Sequence, residues 1–300
     1  MKFSFSTLGC PDYSFDQIIE LVKRVGYTGV EMRIYKNTED LRTLDEFKTE
    51  NLGAVRKKFH AAGIEITCVS SSARFAYPDP ENLRDQLQQA EDYMKIASEL
   101  ESPYIRVFGG PYPVNFTDKP KSEPFIEAYR ATLPSEKTRG LTREMCDAAV
   151  MDCLGKVGET GLKYGVMPLM ETHDDFCSGK VVRRLIDGCG SDNVGILWDC
   201  LHPFRYGMAL NETYEAVRDR IHHVHMKDAK DLTPWGFTPC LVGEGQMDLK
   251  TAVDILRKNN YQEYVCFEWE KLWHPQIAEP EIACPQFMDS VEGLFSDSNH

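Results

Sequence analysis

Positive charge is scarce in this chain of 300 residues: 34 Lys and Arg residues stand against 47 Asp and Glu residues, which gives a net charge of −13. Such a chain does not attract the phosphates of nucleic acid or of an anionic membrane, so we expect neither as a partner. Long apolar runs are lacking too. No segment approaches the ~18 consecutive apolar residues of a membrane helix, and no basic N-terminal region precedes an apolar core. These absences favour a soluble cytoplasmic protein.

The ten cysteines lack regular spacing, and no Cys-x-x-Cys pair occurs among them. Cys68 and Cys266 fall inside predicted strands, so we interpret such cysteines as buried, reduced thiols. Internal repeats, low-complexity tracts and shifts of composition are absent as well. With 42% hydrophobic residues, the chain can bury one large core, and we expect a single domain over residues 1–300.

Short β-rich apolar runs alternate with amphipathic helical patterns along the whole chain. The predicted strands are residues 3–7, 29–33, 64–70, 104–108, 166–171, 194–199, 221–226 and 264–268. The predicted helices are residues 15–25, 52–62, 82–100, 141–164, 180–188, 211–220, 249–259 and 286–295. Strand–helix units of this number and length are typical of a (β/α)8 TIM barrel.

A doubly wound sheet also alternates strands and helices, so two further features decide between the folds. No Gly-x-Gly-x-x-Gly follows the first predicted strand, and ionisable residues end four successive strands in the second half. A doubly wound sheet concentrates its site at one switch point, whereas a barrel collects residues from many strand ends. The sequence therefore favours the barrel.

Those four ionisable residues end predicted strands five to eight: Glu171, Asp199, His225 and Glu268. A single acidic residue at a strand end is more often a cap or an ion-pair partner, but carboxylates grouped at one rim repel each other. A cation relieves that repulsion. One imidazole with three carboxylates suits manganese, cobalt or magnesium, with iron or zinc as further options. We predict one divalent metal site here.

Other ionisable residues surround this set. His202, His173 and Lys227 lie next to the strand ends in sequence and are predicted to bind substrate. Glu270 competes with Glu268 for the metal, and Glu268 is preferred because it comes first after the apolar run. Lower-ranked candidates lie on predicted strands two, four and seven: Glu31, Arg33, Arg106, His222 and His223. His222 and His223 begin strand seven, so at least one of them is expected at the far rim of the barrel.

Two connections are too long for simple linkers. Residues 109–140 are rich in proline, and we expect either a lid or an insertion that packs on the surface or on a subunit neighbour. Residues 227–247 follow the strand that carries His225, which places them over the mouth of the barrel.

Five motifs of the second half then point to a known family. They are Glu171-Thr172-His173, Trp198-Asp199-x-x-His202, His223-Val224-His225-Met226-Lys227-Asp228, Val242-Gly243-Glu244-Gly245 and Phe267-Glu268-Trp269-Glu270.

Together these motifs resemble the sugar phosphate isomerase/epimerase family of the xylose isomerase-like barrel superfamily, over about residues 165–275. The resemblance implies that the four strand-end residues bind one divalent metal. It also implies that Glu171 and Glu268 serve as acid and base, and that His202 and Arg205 lie near substrate oxygens. Related barrels are often dimers or tetramers, so a homo-oligomer remains an option.

The expected activity is isomerisation or epimerisation of a sugar, a cyclitol or a similar hydroxy-ketone. One glutamate takes the α-proton, the metal stabilises the enediolate, and the other glutamate returns a proton. A dehydratase acting on a keto-inositol starts with the same step and stays open as an alternative, as does a non-catalytic sugar-binding barrel. A metal-dependent abasic-site endonuclease is disfavoured by the negative charge.

Overall fold

Eight parallel strands close into one barrel in the computed structural model, which describes residues 1–116 and 124–296. The strands in chain order are β1 (Lys2–Ser6), β2 (Gly29–Met32), β3 (Glu65–Arg74), β4 (Tyr104–Phe108), β5 (Met167–Glu171), β6 (Gly195–Asp199), β7 (Ile221–Met226), β8 (Asp228–Thr233), β9 (Gly236–Cys240) and β10 (Tyr264–Phe267). β8 and β9 form a separate antiparallel hairpin, and β1 closes the barrel against β10. The predicted TIM barrel is confirmed, and closure excludes a doubly wound sheet, which has two open edges.

Helices surround this barrel. In chain order they are α1 (Phe15–Val25), α2 (Thr49–Ala61), α3 (Pro80–Glu99), α4 (Pro124–Thr132), α5 (Ser135–Thr138), α6 (Arg143–Tyr164), α7 (Gly179–Gly188), α8 (Leu201–Arg205), α9 (Leu210–Val217), α10 (Leu249–Lys258) and α11 (Pro280–Ser296). Within the described ranges, none of them combines the length and the apolar character that a membrane span requires.

The first helix shows how local sequence fixes the element boundaries. The hydroxyl of Ser14 accepts a hydrogen bond from the backbone of Gln17, and the Gln17 side chain accepts one from the backbone of Ser14 at 2.9 Å. This capping box satisfies amide groups that the first turn leaves without partners. Gly26 ends the helix with φ 93°, a left-handed conformation that glycine adopts without strain. These signals lie in the sequence, and the predicted bounds agree with the structure.

The structure differs from the predicted strands in two places, at the end of β3 and at the β8–β9 hairpin, and each difference has a physical reason. β3 continues four residues beyond the predicted end at Ser70, because Arg74 still pairs with Phe108 of β4 although the intervening residues are small and polar. Residues 227–247 are predicted as a long connection over the mouth, with no strand placed in it, and part of this segment forms the β8–β9 hairpin. Its exposed Lys230 and Asp231 break the apolar alternation by which a strand is recognised.

Both long connections reach the rim of the barrel. Residues 109–140 contain α4 and α5, and residues 117–123 of this segment lie outside the described residues. The second connection is held by Asp228, whose carboxylate accepts hydrogen bonds from the backbone amides of Gly243 at 2.9 Å, Gly245 at 3.0 Å and Met247 at 3.1 Å. A Cβ atom at Gly245 would lie 2.1 Å from Oδ1 of Asp228, so the loop approaches this carboxylate closely enough to require glycine.

We predict that Asp228→Ala lowers the free energy of unfolding by about 2–4 kcal/mol, because it leaves several loop amides without a buried, charged acceptor. Denaturant titration of the purified variant measures the change. Glu244→Ala is the matched control, since Glu244 lies in the same loop but is exposed and pairs only with Lys230. Equal effects of the two substitutions would contradict the role of Asp228.

Candidate metal and active site

The carboxyl ends of the last four barrel strands bring Glu171, Asp199, His225 and Glu268 together. All four are buried, and one ligand atom of each lies within 4.8 Å of the others. Nδ1 of His225 lies 3.2 Å from Oε1 of Glu268, 3.4 Å from Oε1 of Glu171 and 3.9 Å from Oδ2 of Asp199. Strand register explains the arrangement, because Asp199 and His225 are paired residues on neighbouring strands. Glu270, the competing candidate, lies outside this group.

Protein contacts hold the carboxylates of Glu171 and Asp199, and each of them turns one oxygen toward the imidazole. Oε2 of Glu171 accepts a hydrogen bond from Nη1 of Arg106 at 2.9 Å, whereas its Oε1 is buried without a partner. Oδ1 of Asp199 accepts backbone hydrogen bonds from Leu201 at 2.8 Å and His202 at 3.3 Å. These contacts fix the carboxylates before any ligand arrives, which is what a preorganised coordination site needs.

Lys227 links the carboxylates of Asp199 and Glu268. Its ammonium group is completely buried and donates to Oδ2 of Asp199 at 2.6 Å and to Oε2 of Glu268. Glu270 lies 3.3 Å from the same group. The sequence predicts Lys227 as a substrate-binding residue, but the structure places it among the carboxylates, where it offsets their charge.

The opposite side of the His225 ring is held by Glu31. Nε2 of His225 lies 2.7 Å from Oε2 of Glu31, which also lies 3.2 Å from Nε2 of His223. Ser6 donates a hydrogen bond to the other oxygen of Glu31 at 3.0 Å. A carboxylate behind a histidine fixes its tautomer, with the proton on Nε2 and the lone pair on Nδ1. Nδ1 of His225 is buried and has no hydrogen-bond partner among the residues that the structure describes, so it is available to a metal ion.

The charge of the cluster also favours a cation. Five buried carboxylates face two buried cationic groups, Arg106 and Lys227, so three negative charges remain while the histidines are neutral. The five carboxylates belong to Glu31, Glu171, Asp199, Glu268 and Glu270. Burial alone would lower the pKa of His225, but the carboxylates of Glu268 and Glu31 outweigh it and raise this pKa well above its usual value. A divalent cation can replace that proton, and three carboxylates with one imidazole suit such an ion.

The histidines predicted to bind substrate lie beside this cluster. The rings of His173 and His202 are 4.0 Å apart between centroids, and both line one cavity. Nδ1 of His202 accepts a hydrogen bond from Nε of Arg205 at 3.2 Å, so the neutral ring carries its proton on Nε2. Burial and the nearby His173 lower the pKa of His202 well below its usual value. Arg205 itself is not among the described residues lining the cavity, so it contacts His202 where a substrate contact was expected.

A cavity of about 510 Å³ opens above the cluster. Its walls include arginines of the first half of the barrel, three glutamates, of which Glu268 belongs to the cluster, and several aromatic rings. The lining residues are Arg33, Glu39, Arg74, Arg106, Phe108, Pro124, Phe125, His173, His202, Phe237, Glu268, Glu270, Trp273 and His274. Phe237 comes from the β8–β9 hairpin and Phe125 from α4, so both long connections contribute to the mouth.

Some of these residues were not found from the sequence. Arg74 was missed because the serine-rich end of β3 lacks the apolar run that marks a strand. Glu31 was a lower-ranked candidate, and its contact with His225 depends on which strands face each other across the closed barrel. His223 points to Glu31, whereas His222 packs on the ring of Tyr104 at 5.7 Å between centroids. One of the two thus lies outside the cluster, in line with the prediction.

Fold and site together define a TIM barrel whose last four strands form a candidate divalent-metal centre. The family model of the xylose isomerase-like TIM barrel matches residues 19–284, so the chain belongs to this family. Inosose isomerase of Halalkalibacterium halodurans is 20% identical over 272 residues, which cover 88% of this chain and 85% of the relative. Inosose isomerase of Bacillus velezensis is 20% identical over 261 residues, covering 84% and 82%.

Solved structures agree on the fold. The IolI protein with a bound zinc atom has a TM-score of 0.73 at 18% identity, covering 99% of this chain and 100% of its own. D-psicose 3-epimerase of Clostridium cellulolyticum H10, solved with D-tagatose, has a TM-score of 0.73 at 13% identity and covers 99% of each chain. The predictions of the family and of an enzyme are confirmed.

We predict that manganese raises the melting temperature of the protein and that His225→Gln abolishes the rise. At a metal concentration of about 100 times Kd, binding adds about 2.7 kcal/mol to stability. Differential scanning calorimetry measures the effect. His222→Gln is the matched control, because His222 lies on the same strand outside the cluster. A full rise in the His225 variant would show that manganese binds elsewhere.

Removal of the carboxylate behind His225 should weaken metal binding without removing a ligand. Glu31→Gln is expected to lower manganese affinity about 10- to 100-fold, because the ring loses the partner that fixes its tautomer. Isothermal titration calorimetry gives the affinity. Glu65→Gln changes a carboxylate that pairs with Lys2 on the surface and should leave affinity unchanged. If both variants bind alike, Glu31 has no part in positioning the imidazole.

Proposed function

We propose that the protein is a divalent-metal-dependent isomerase or epimerase that acts on a sugar or a sugar-like hydroxy-ketone. The observation that carries this proposal is the placement of two glutamates at one imidazole nitrogen, with Oε1 of Glu268 at 3.2 Å and Oε1 of Glu171 at 3.4 Å from Nδ1 of His225. Two carboxylates at one small site can exchange a proton with a substrate held between them. The inosose isomerases and sugar epimerases among the similar proteins support this reaction class.

The four clustered residues, Glu171, Asp199, His225 and Glu268, would hold the ion. A divalent ion there supplies a Lewis acid for negative charge that develops on a substrate carbonyl oxygen. Manganese, cobalt and magnesium suit the three carboxylates best, while the zinc atom in the IolI structure keeps zinc among the candidates.

Glu171 and Glu268 are the proposed acid and base. Burial would raise the pKa of Glu171, but the Arg106 guanidinium outweighs it and lowers the value. Burial acts in the same direction on Glu268, whose pKa is nevertheless held well below its usual value by His225 and Lys227. Both groups are therefore ionised, which is the state that a proton acceptor needs. The one that accepts the α-proton becomes an acid, and the other serves the opposite face or the neighbouring carbon. Such proton transfer contributes about 10²- to 10⁴-fold to a rate.

His202 and His173 provide polar groups at the cavity side of the cluster. With Arg205 bound at Nδ1, His202 presents its Nε2–H group 3.6 Å from Oδ2 of Asp199, in a position to meet a substrate hydroxyl. The ring of His173 lies beside it with the two ring planes tilted by 56°, and 22% of the His173 side chain is open to solvent. We propose that this pair orients the hydroxyl groups of the substrate.

Loss of water from a keto-inositol is the alternative reaction, because it begins with the same proton abstraction by a glutamate. Uptake of deuterium at the substrate α-carbon without loss of a hydroxyl group would favour the isomerase. Release of water with formation of an unsaturated ketone would favour the dehydratase. A non-catalytic barrel predicts neither outcome and no stabilisation by manganese.

Glu268→Gln should retain the fold and lose nearly all turnover, since an amide cannot accept the α-proton. Exchange of that proton with deuterated water, followed by NMR over a panel of ketoses, measures the loss. Glu263→Gln is a suitable control, because Glu263 is exposed and lies just before the other end of the same strand. Near-normal exchange in the Glu268 variant would remove this residue from the mechanism.

A further inference from the structure

The cavity has two electrically different walls. The barrel order places β2, β3 and β4 across from β6, β7 and β10 respectively. Three of the four clustered residues belong to the second group: Asp199 at the end of β6, His225 on β7 and Glu268 directly after β10, while Glu171 ends β5 beside β4. The first group carries three guanidinium groups that line the same cavity, Arg33 directly after β2, Arg74 at the end of β3 and Arg106 in β4.

The guanidinium group of Arg106 already has hydrogen-bond partners within the protein. It donates to Glu171 at 2.9 Å and to the carbonyl oxygen of Ser71 at 3.0 and 3.2 Å. The guanidinium group of Arg33 has a carboxylate partner, because its Nη2 lies 3.2 Å from Oε2 of Glu39. Its Nε, however, is buried without a hydrogen-bond partner among the described residues. The Glu39 side chain is 53% exposed, so it can move away from Arg33, whose own side chain is only 3% exposed.

The guanidinium group of Arg74 has no carboxylate partner among the described residues. Among the described residues, no carboxylate lies within 4.0 Å of its guanidinium group, and its Nε is buried without a hydrogen-bond partner. Its guanidinium lies 5.6 Å from the centre of the Phe108 ring, another lining residue. By contrast, Glu39, Glu268 and Glu270, the carboxylates that line this cavity, each have a cationic partner. Among the described residues that line the cavity, Arg74 is thus a cation without a carboxylate partner, and each carboxylate has a cationic partner.

We propose that the substrate carries an anionic group, a carboxylate or a phosphate, that Arg74 binds together with Arg33 while the hydroxy-ketone end lies at the carboxylate cluster. The proposal rests on the proposed function and specifies its substrate class. A guanidinium group presents several donors in a plane and matches these two anions in geometry and charge. A buried donor without a partner is costly, and a bound anion would satisfy the Nε groups of both arginines.

The electrostatics of the wall support the same conclusion. Burial and the neighbouring Arg106 guanidinium both lower the pKa of Arg33, which means that Arg33 and Arg106 repel each other. An anion beside Arg33 would offset this repulsion. A neutral ketose offers only hydroxyl groups, which leave the charge of Arg74 uncompensated in a partly closed cavity.

The test compares three ketohexoses that differ at one carbon: D-fructose, D-fructuronate and D-fructose 6-phosphate. Their affinities for the manganese-loaded protein are measured by calorimetry, for the natural chain and for Arg74→Gln. Arg183→Gln is the control, because Arg183 pairs with Asp187 and Asp219 on the surface. We expect the carboxylate or the phosphate compound to bind about 10- to 100-fold more tightly than D-fructose, with the difference lost in Arg74→Gln alone.

Three results would overturn the proposal: equal affinity for all three compounds, an equal loss for all three in Arg74→Gln, or no binding of any of them. Which anionic compound binds more tightly distinguishes carboxylate from phosphate. Deuterium exchange separates this proposal from the proposed function. Exchange with D-fructose as fast as with the anionic ketoses leaves the isomerase standing without the anion site. Arg74-dependent binding without exchange in any compound leaves the anion site standing without the isomerase.

Discussion

The contact between Glu31 and His225 is the interaction on which the site depends. Because Glu31 holds Nε2 at 2.7 Å, the lone pair of Nδ1 faces the three carboxylates of the last strands. Ser6 and His223 in turn form hydrogen bonds with Glu31, so residues of β1, β2 and β7 together fix the orientation of the His225 ring. Both oxygens of Glu31 are hydrogen-bonded, and this network keeps the His225 ring in place before an ion binds.

This arrangement places an unusual amount of negative charge inside the barrel. Buried carboxylates destabilise a fold unless they are paired, and Arg106 and Lys227 compensate only part of the charge. The remaining imbalance is concentrated around Nδ1 of His225 and the unpartnered Oε1 of Glu171. The fold therefore tolerates local strain at the point where a divalent cation would remove it, which is the pattern expected of a functional centre.

The sequence predicts most of the barrel and the composition of the cluster, because both depend on local patterns. Apolar runs mark the strands, and the first ionisable residue after a run marks its carboxyl end, as for Asp199 and Glu268. Contacts across the barrel are different. That Glu31 meets His225, or that Lys227 turns inward to Asp199, depends on closure and register, which no local pattern encodes. Likewise β3 reaches Arg74 through pairing with β4, although its last residues are not apolar.

These differences separate the two halves of the barrel by role. The motifs that identify the family lie in the second half, and their cluster suits any reaction that begins with removal of an α-proton. It cannot by itself distinguish one ketose from another, because every hydroxy-ketone presents the same pair of oxygens. Selection must come from groups that meet the rest of the molecule. In this chain the cavity residues that we propose for this role are Arg33 and Arg74 of the first half, together with Phe125 and Phe237 from the two long connections. On this proposal, the two arginines that recognise the substrate lie outside the motifs that identify the family.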